Sequence, residues 1–173
     1  MKTKYLFVIG FFALLLSSCV TSKVSFNNSP DYHTKIKTAF VEIKDVNIGR
    51  FLDQFGSSLI SNLENEGVSI KLIVNDVLSL NSEKDIQKQI QDFNPAVVMI
   101  IERADTKTTR SKSGYSYNGG VYLVSIELPE THKIVWKASI STRSEVGSFG
   151  GFDVAVKQTV QQIISKMKTD QLL

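Results

Sequence analysis

Residues 121–141 read VYLVSIELPETHKIVWKASIS, and the two alternations inside this stretch decide what kind of fold the chain adopts. Tyr122, Val124, Ile126 and Leu128 alternate with Val121, Leu123, Ser125 and Glu127. After Pro129-Glu130-Thr131-His132-Lys133, the set Ile134, Trp136, Ala138 and Ile140 alternates with Val135, Lys137, Ser139 and Ser141. A period of two sends successive side chains to opposite faces of a strand. Two such runs joined by about five polar residues specify an antiparallel hairpin with its even-numbered face toward a core.

Upstream, the period changes twice. Ile36–Lys44 is strand-like, with Ala39, Val41 and Ile43 on one face and Phe40 on the other beside Glu42 and Lys44. From Arg50 the spacing is helical: Leu52, Phe55, Leu59 and Leu63 form a stripe widened by Phe51 and Ile60. Asn47 is a candidate cap for its start, and Glu66-Gly67 ends it, glycine being free to take the left-handed conformation. Val68–Leu72, reaching as far as Val74, reads as the next strand. Ser82-Glu83-Lys84-Asp85 is a capping box ahead of Ile86, Ile90 and Phe93, and Asn94-Pro95 stops that helix. Ala96–Ile101, AVVMII, is a central strand buried on both faces. Downstream of the hairpin, Phe152, Val156, Val160, Ile163, Ile164 and Met167 give a last amphipathic helix, with Asp153 near its N-terminus where an acid suits the dipole. The order β-α-β-α-β-β-β-α implies an α+β domain: one mixed sheet of about five strands, helices mainly on one face.

The start of the chain predicts where that domain works. Lys2 and Lys4 precede an apolar run from Tyr5 to Leu16, the layout of a secretory signal. As a helix the run spans about 18 Å, short of a hydrocarbon core of about 30 Å. Leu16-Ser17-Ser18-Cys19 resembles the lipobox of bacterial lipoproteins. The resemblance implies cleavage before Cys19, acylation of its thiol and new amine, and hence membrane lipid as a partner. The expected organisation is a signal peptide over 1–18, an acylated Cys and polar tether over 19–35, and a periplasmic domain over 36–170. Neither an Asp directly after Cys19 nor an acidic run follows, which by the same resemblance implies the periplasmic face of the outer membrane.

The chain's 20 basic and 17 acidic residues include Lys2 and Lys4. Without residues 1–18 they become 18 against 17, a formal +1, so the case for nucleic acid as a partner is gone. Cys19 is the only cysteine, which excludes an intramolecular disulfide and a multi-cysteine metal site.

The strands at 96–101 and 125–141 also resemble the small periplasmic domains of the group containing the N-terminal domain of the Tol translocation protein, the curli-secretion lipoprotein and lipoprotein activators of penicillin-binding proteins. Ser125-Ile126-Glu127-Leu128, Thr131 and Ile134-Val135-Trp136 match its recurrent strand pair. Leu128-Pro129-Glu130 stands where many relatives have Asp, and His132 where Gly commonly follows the Thr. No catalytic motif belongs to the group, so the resemblance implies a scaffold without active-site residues.

The residues themselves agree. His33 and His132 are far apart, no Gly-x-Ser-x-Gly elbow occurs, and Ser148-Phe149-Gly150-Gly151 lacks the Gly-Lys-Ser/Thr ending of a phosphate loop. No metal, cofactor or catalytic residue is expected. The segment that stands out is Asp105–Gly120, DTKTTRSKSGYSYNGG. It is read as a long loop or hairpin end, either an extended β-hairpin or loop with no ligand, or a surface where Arg110, Lys112, Tyr115 and Tyr117, with Tyr122 just beyond it, bind a protein or envelope glycan, basic and tyrosine side chains among Gly and Ser being typical of adaptable binding surfaces. The expected function is a non-catalytic, outer-membrane-anchored accessory protein. A subunit of an oligomeric secretion complex is the alternative, and an envelope hydrolase comes third.

Overall fold

The computed structural model describes residues 20–45, 50–76, 78–110, 116–145 and 152–173. Nine elements follow in the order β1 (Val20–Asn28), β2 (Thr38–Asp45), α1 (Arg50–Asn65), β3 (Ser69–Asp76), α2 (Glu83–Phe93), β4 (Val97–Arg110), β5 (Ser116–Glu127), β6 (Ile134–Glu145) and α3 (Phe152–Thr169). The strands form one mixed sheet ordered β1-β6-β5-β4-β2-β3. β2 pairs in parallel with β3 and β4, and the β4-β5-β6-β1 half is antiparallel.

The α+β class expected from the sequence is the observed one, with six strands in place of about five. The added strand is β1. Residues 20–28, expected as part of a tether, lie along β6 from Val20 opposite Ser144 to Asn28 opposite Trp136. The folded unit therefore takes in residues assigned to the tether, and it also extends past 170. Leu172 is buried, and its carbonyl accepts from the Ile36 N–H (2.9 Å).

Both sheet faces carry a core, of unequal size. The larger joins Ala39, Val41, Ile43, Val97, Met99, Ile101, Val124, Ile126 and Ile140 to the apolar stripes of α1 and α3. On the opposite face Phe40, Ile73 and Val98 meet Ile86 and Ile90 of α2. β4 contributes to both through alternate residues, as a continuous apolar run should. Two helices cover one face and a single helix covers part of the other.

Local signals account for the helix ends. In α2, Ser82 Oγ accepts from the Asp85 N–H (3.3 Å) while Asp85 Oδ2 accepts from the Ser82 N–H (3.0 Å) and from Ser82 Oγ (2.6 Å). The hydrogen bonds from the Ser82 side chain and then its backbone hold the Asp85 carboxyl below the usual carboxylate range. A lowered folded-state value means that the box stabilises α2 above the usual carboxylate range and weakens as pH falls through the lowered value. Asn94 caps the other end with φ 49°. Gly67, at φ 86°, closes α1, whose expected cap Asn47 lies outside the described residues.

Two bulges redirect the sheet. β5 pairs Ile126 with Trp136 but Glu127 with Ile134, so Val135 is the extra residue. Beyond the bulge the faces exchange: Val135 is buried and Ile134 is exposed, against the even-numbered pattern expected through Ile134. In β4 the register shifts between Arg103 and Asp105, which leaves Ala104 as the extra residue.

The turn between β5 and β6 places His132 at φ 54°, the left-handed region where a side chain is strained. Glycine adopts it freely. His132→Gly should therefore raise unfolding free energy by about 1 kcal/mol, read as a higher urea midpoint with an unchanged slope. A lower midpoint would show that the His132–Glu127 contact (3.7 Å) outweighs the strain.

Candidate functional site

Of the two readings of the segment singled out in the sequence, a long loop or a hairpin end, the hairpin end is the one found. β4 and β5 continue as a ladder to Arg110 opposite Ser116. β2 reaches only as far as Lys44 opposite Glu102. The β4–β5 hairpin therefore runs on past the parallel half of the sheet by more than roughly 20 Å, at about 3.3 Å per residue. Threonines at 106, 108 and 109 are the β-branched residues that a two-stranded extension favours.

This register separates the residues expected to act together. Lys112 and Tyr115 lie outside the described residues, as does Cys19. Arg110 is opposite Ser116 and Tyr117 opposite Thr109, so Arg110 and Tyr117 occupy opposite faces of the ladder. Tyr122 belongs to the core and corrects the expected binding set. It is buried, its ring lies 5.0 Å from that of Phe51, and the Arg103 guanidinium sits over it at 5.8 Å. Gly120 is fitted to that ring: a Cβ there would meet the Tyr122 ring atoms at 2.9 Å. The Thr142 hydroxyl accepts from the Gly120 N–H (3.2 Å) and donates to the Gly120 carbonyl (3.3 Å).

Strand β1 enters this end of the sheet. Val20 lies opposite Ser144, Ser144 opposite Asn118, and Asn118 opposite Thr108. The far side of β1 is secured to α3, where the Thr159 hydroxyl donates to Ser22 Oγ (2.8 Å) and to the Ala155 carbonyl (2.7 Å). At its other end Phe26 packs on Trp136, ring centroids 5.7 Å apart. Trp136 Nε1 donates to Asp170 Oδ2 (3.0 Å), and Asp170 also pairs with Lys166. This polar anchor ties β6 to the end of the last helix.

The opposite edge of the sheet carries a surface that the sequence reading passed over. Leu72 is 46% exposed, Val74 42%, Leu78 87% and Leu80 100%. They belong to β3 and the chain that leaves it, and β3 ends the sheet. The signal was present in LIVNDVLSL, residues 72–80, where apolar residues continue beyond the strand without alternating.

Among the described residues, no group of three or more His, Cys, Asp or Glu could hold a metal ion, and no helix is long and apolar enough to cross a membrane. A groove of about 730 Å³ between α1 and α3 is lined by polar side chains including Asp53, Gln54, Ser57, Asn62, Asp153 and Gln161.

No protein-family model and no curated protein sequence matches the chain. Solved structures share its fold. The PelC dodecamer from Paraburkholderia phytofirmans superposes with a TM-score of 0.54 at 14% identity, over 88% of this chain and 99% of that one. A point variant of that dodecamer gives 0.55 at 12% identity, over 87% and 99%. Lipoprotein GNA1162 from Neisseria meningitidis is similar at a TM-score of 0.48 and 15% identity, over 76% and 98%. At these identities the likeness to PelC is one of fold.

Proposed function

We propose that this chain is a non-catalytic lipoprotein of the bacterial envelope, held on the periplasmic face of the outer membrane through Cys19. It works as an assembly module that packs against further copies of itself. The observation that carries the assembly is the β3 edge. An unpaired outer strand is a ready template for association, and proteins normally blunt such edges with charge or cover. Here the edge is instead flanked by Leu72, Val74, Leu78 and Leu80, an apolar margin of the kind that marks protein interfaces. The PelC chain, which shares the fold over nearly its whole length, was solved as a dodecamer. The lipobox-like Leu16-Ser17-Ser18-Cys19 supports the anchor. The absence of any expected nucleophile, base or metal set supports a structural role.

The doubly substituted chain Leu72→Lys/Leu80→Lys tests this. Both positions are exposed, so folding should survive and circular dichroism should match the parent. Light scattering after size exclusion in detergent should show the parent as a multimer and the variant at about the mass of one chain. A parent of monomer mass, or a variant of unchanged mass, refutes self-assembly through this edge.

A further inference from the structure

Val20, the neighbour of Cys19 in the chain, and the β4–β5 extension lie at the same end of the sheet. Cys19 is bonded to Val20, and consecutive Cα atoms are about 3.8 Å apart. Val20 already lies in β1, level with Ser144, Asn118 and Thr108. No length of free chain separates position 19 from the folded domain. If acyl chains on Cys19 enter a bilayer, the strand positions level with Val20 must lie at the headgroups, and the hairpin reaches two residues further, to Arg110 and Ser116.

We propose that the distal part of this hairpin, positions 106–110 and 116–118, is a second membrane contact. It would rest on the phosphate-bearing headgroups of the leaflet that carries the Cys19 acyl chains. The contact rests on the lipoprotein reading above. The chemistry of the segment fits. Lys107 and Arg110 stand on β4, and Arg143 of β6 lies opposite Thr21, while Asp105 and Glu145 are the acids of the β4-β5-β6-β1 extension; set back from it at the same end, Asp45 and Asp76 end the shorter β2 and β3, and Asp53 and Asp153 lie in the first turns of α1 and α3. Lys107, opposite Gly119, shares a face with Tyr117. That face continues over β6 and β1 through Arg143, Ser141, Ser139, Lys23 and Ser25, and α2 packs only on the β2-β3-β4 part of it. Basic residues beside tyrosine are the composition of a headgroup layer, where the cation meets phosphate and the phenol spans the polar boundary. The remaining strand positions are Thr, Ser and Asn, too polar to enter the hydrocarbon. The hairpin therefore lies against the surface and fixes the orientation of the domain, with its β5–β6 turn pointing away.

The test uses the full chain in vesicles of phosphatidylcholine with one fifth phosphatidylglycerol. An environment-sensitive fluorophore is placed on Asn118→Cys in one sample and on Glu130→Cys, at the opposite end, in another. Brominated lipids should quench the probe at 118 and leave the probe at 130 unchanged. Adding Lys107→Glu and Arg110→Glu should weaken quenching at 118 severalfold, on a scale of about fivefold for each basic residue in contact with an anionic surface. Mass spectrometry of Cys19 reads the anchor separately. Quenching at 118 without acylation keeps the hairpin contact and removes the lipoprotein reading. Acylated chain with no quenching at 118, equal quenching at 118 and 130, or quenching indifferent to the two charge reversals overturns the contact.

Discussion

Trp136→Ala should lower the unfolding free energy by about 3–5 kcal/mol, a large part of the total of about 5–15 kcal/mol usual for such a domain. Three losses coincide at this position. The largest fully buried side chain disappears from the main core. Phe26 loses the ring on which it packs, and with it part of what holds β1 to β6. Asp170 keeps Lys166 but loses the indole donor while buried, and an orphaned buried acceptor costs about 1–3 kcal/mol. Trp136→Phe separates these effects, because it keeps a ring for Phe26 and removes only the donor and some volume. A cost of about 1–2 kcal/mol is expected for it. Trp136 is the only tryptophan, so the parent's fluorescence reports this corner, and the variants need urea titrations followed by circular dichroism. Equal midpoints for Trp136→Ala and parent would mean that the β6–α3 junction does not hold the sheet to its last helix.

Phe55→Ala should cost about as much, in the range of about 3–5 kcal/mol for a large ring removed from a packed core. Phe55 is fully buried, and its ring lies parallel to that of Phe51 with centroids 5.7 Å apart. Phe51 in turn meets Tyr122 of β5, so the ring pair couples α1 to the middle of the sheet. The contrast is with α2, whose anchors Ile86 and Ile90 belong to the small second core. Ile90→Ala should cost about 2 kcal/mol, at the low end for an isoleucine, because the site lies close to solvent and can collapse. Native-state hydrogen exchange should likewise show α2 amides opening at lower free energy than those of α1. If Ile90→Ala proves the more damaging substitution, the assignment of a major and a minor core is wrong.

The sequence revealed those parts of the fold where one physical signal acted alone. The stripe from Phe51 to Leu63, the Ser82–Asp85 box and the apolar strand each follow from periodicity or local hydrogen bonding; the first two are found in place, and the third begins at Val97, with Ala96 exposed before it and Ile100 half-buried within it. β1 was hidden because an edge strand needs only half a core face. Val24 and Phe26 alternate with polar residues, but among Ser, Thr and Asn the alternation is weak. Whether 105–120 was a loop or an extension of β4 and β5 stayed open for a related reason: the segment has no apolar period to mark strands. The bulges at Ala104 and Val135 leave no compositional trace, yet the second decides that Val135 and not Ile134 is buried. In the candidate site, composition identified the basic and tyrosine-rich hairpin, but only the register showed that Arg110 and Tyr117 part to opposite faces. Tyr122 was grouped with them by proximity in sequence, whereas its alternation with Val121 and Leu123 already placed it on the core face.

Ser22 and Thr159, the pair that joins β1 to α3, are 137 residues apart in the sequence. Among the described residues β6 is the one strand that pairs with β1, so the first strand of the sheet waits for a segment more than a hundred residues further along the chain. Such long-range closure raises the contact order and slows folding. A chain built this way cannot complete its sheet before β6 and α3 have been made. For a protein expected to leave the cytoplasm as an extended thread, this closure leaves the chain threadable for as long as β6 and α3 have yet to be made.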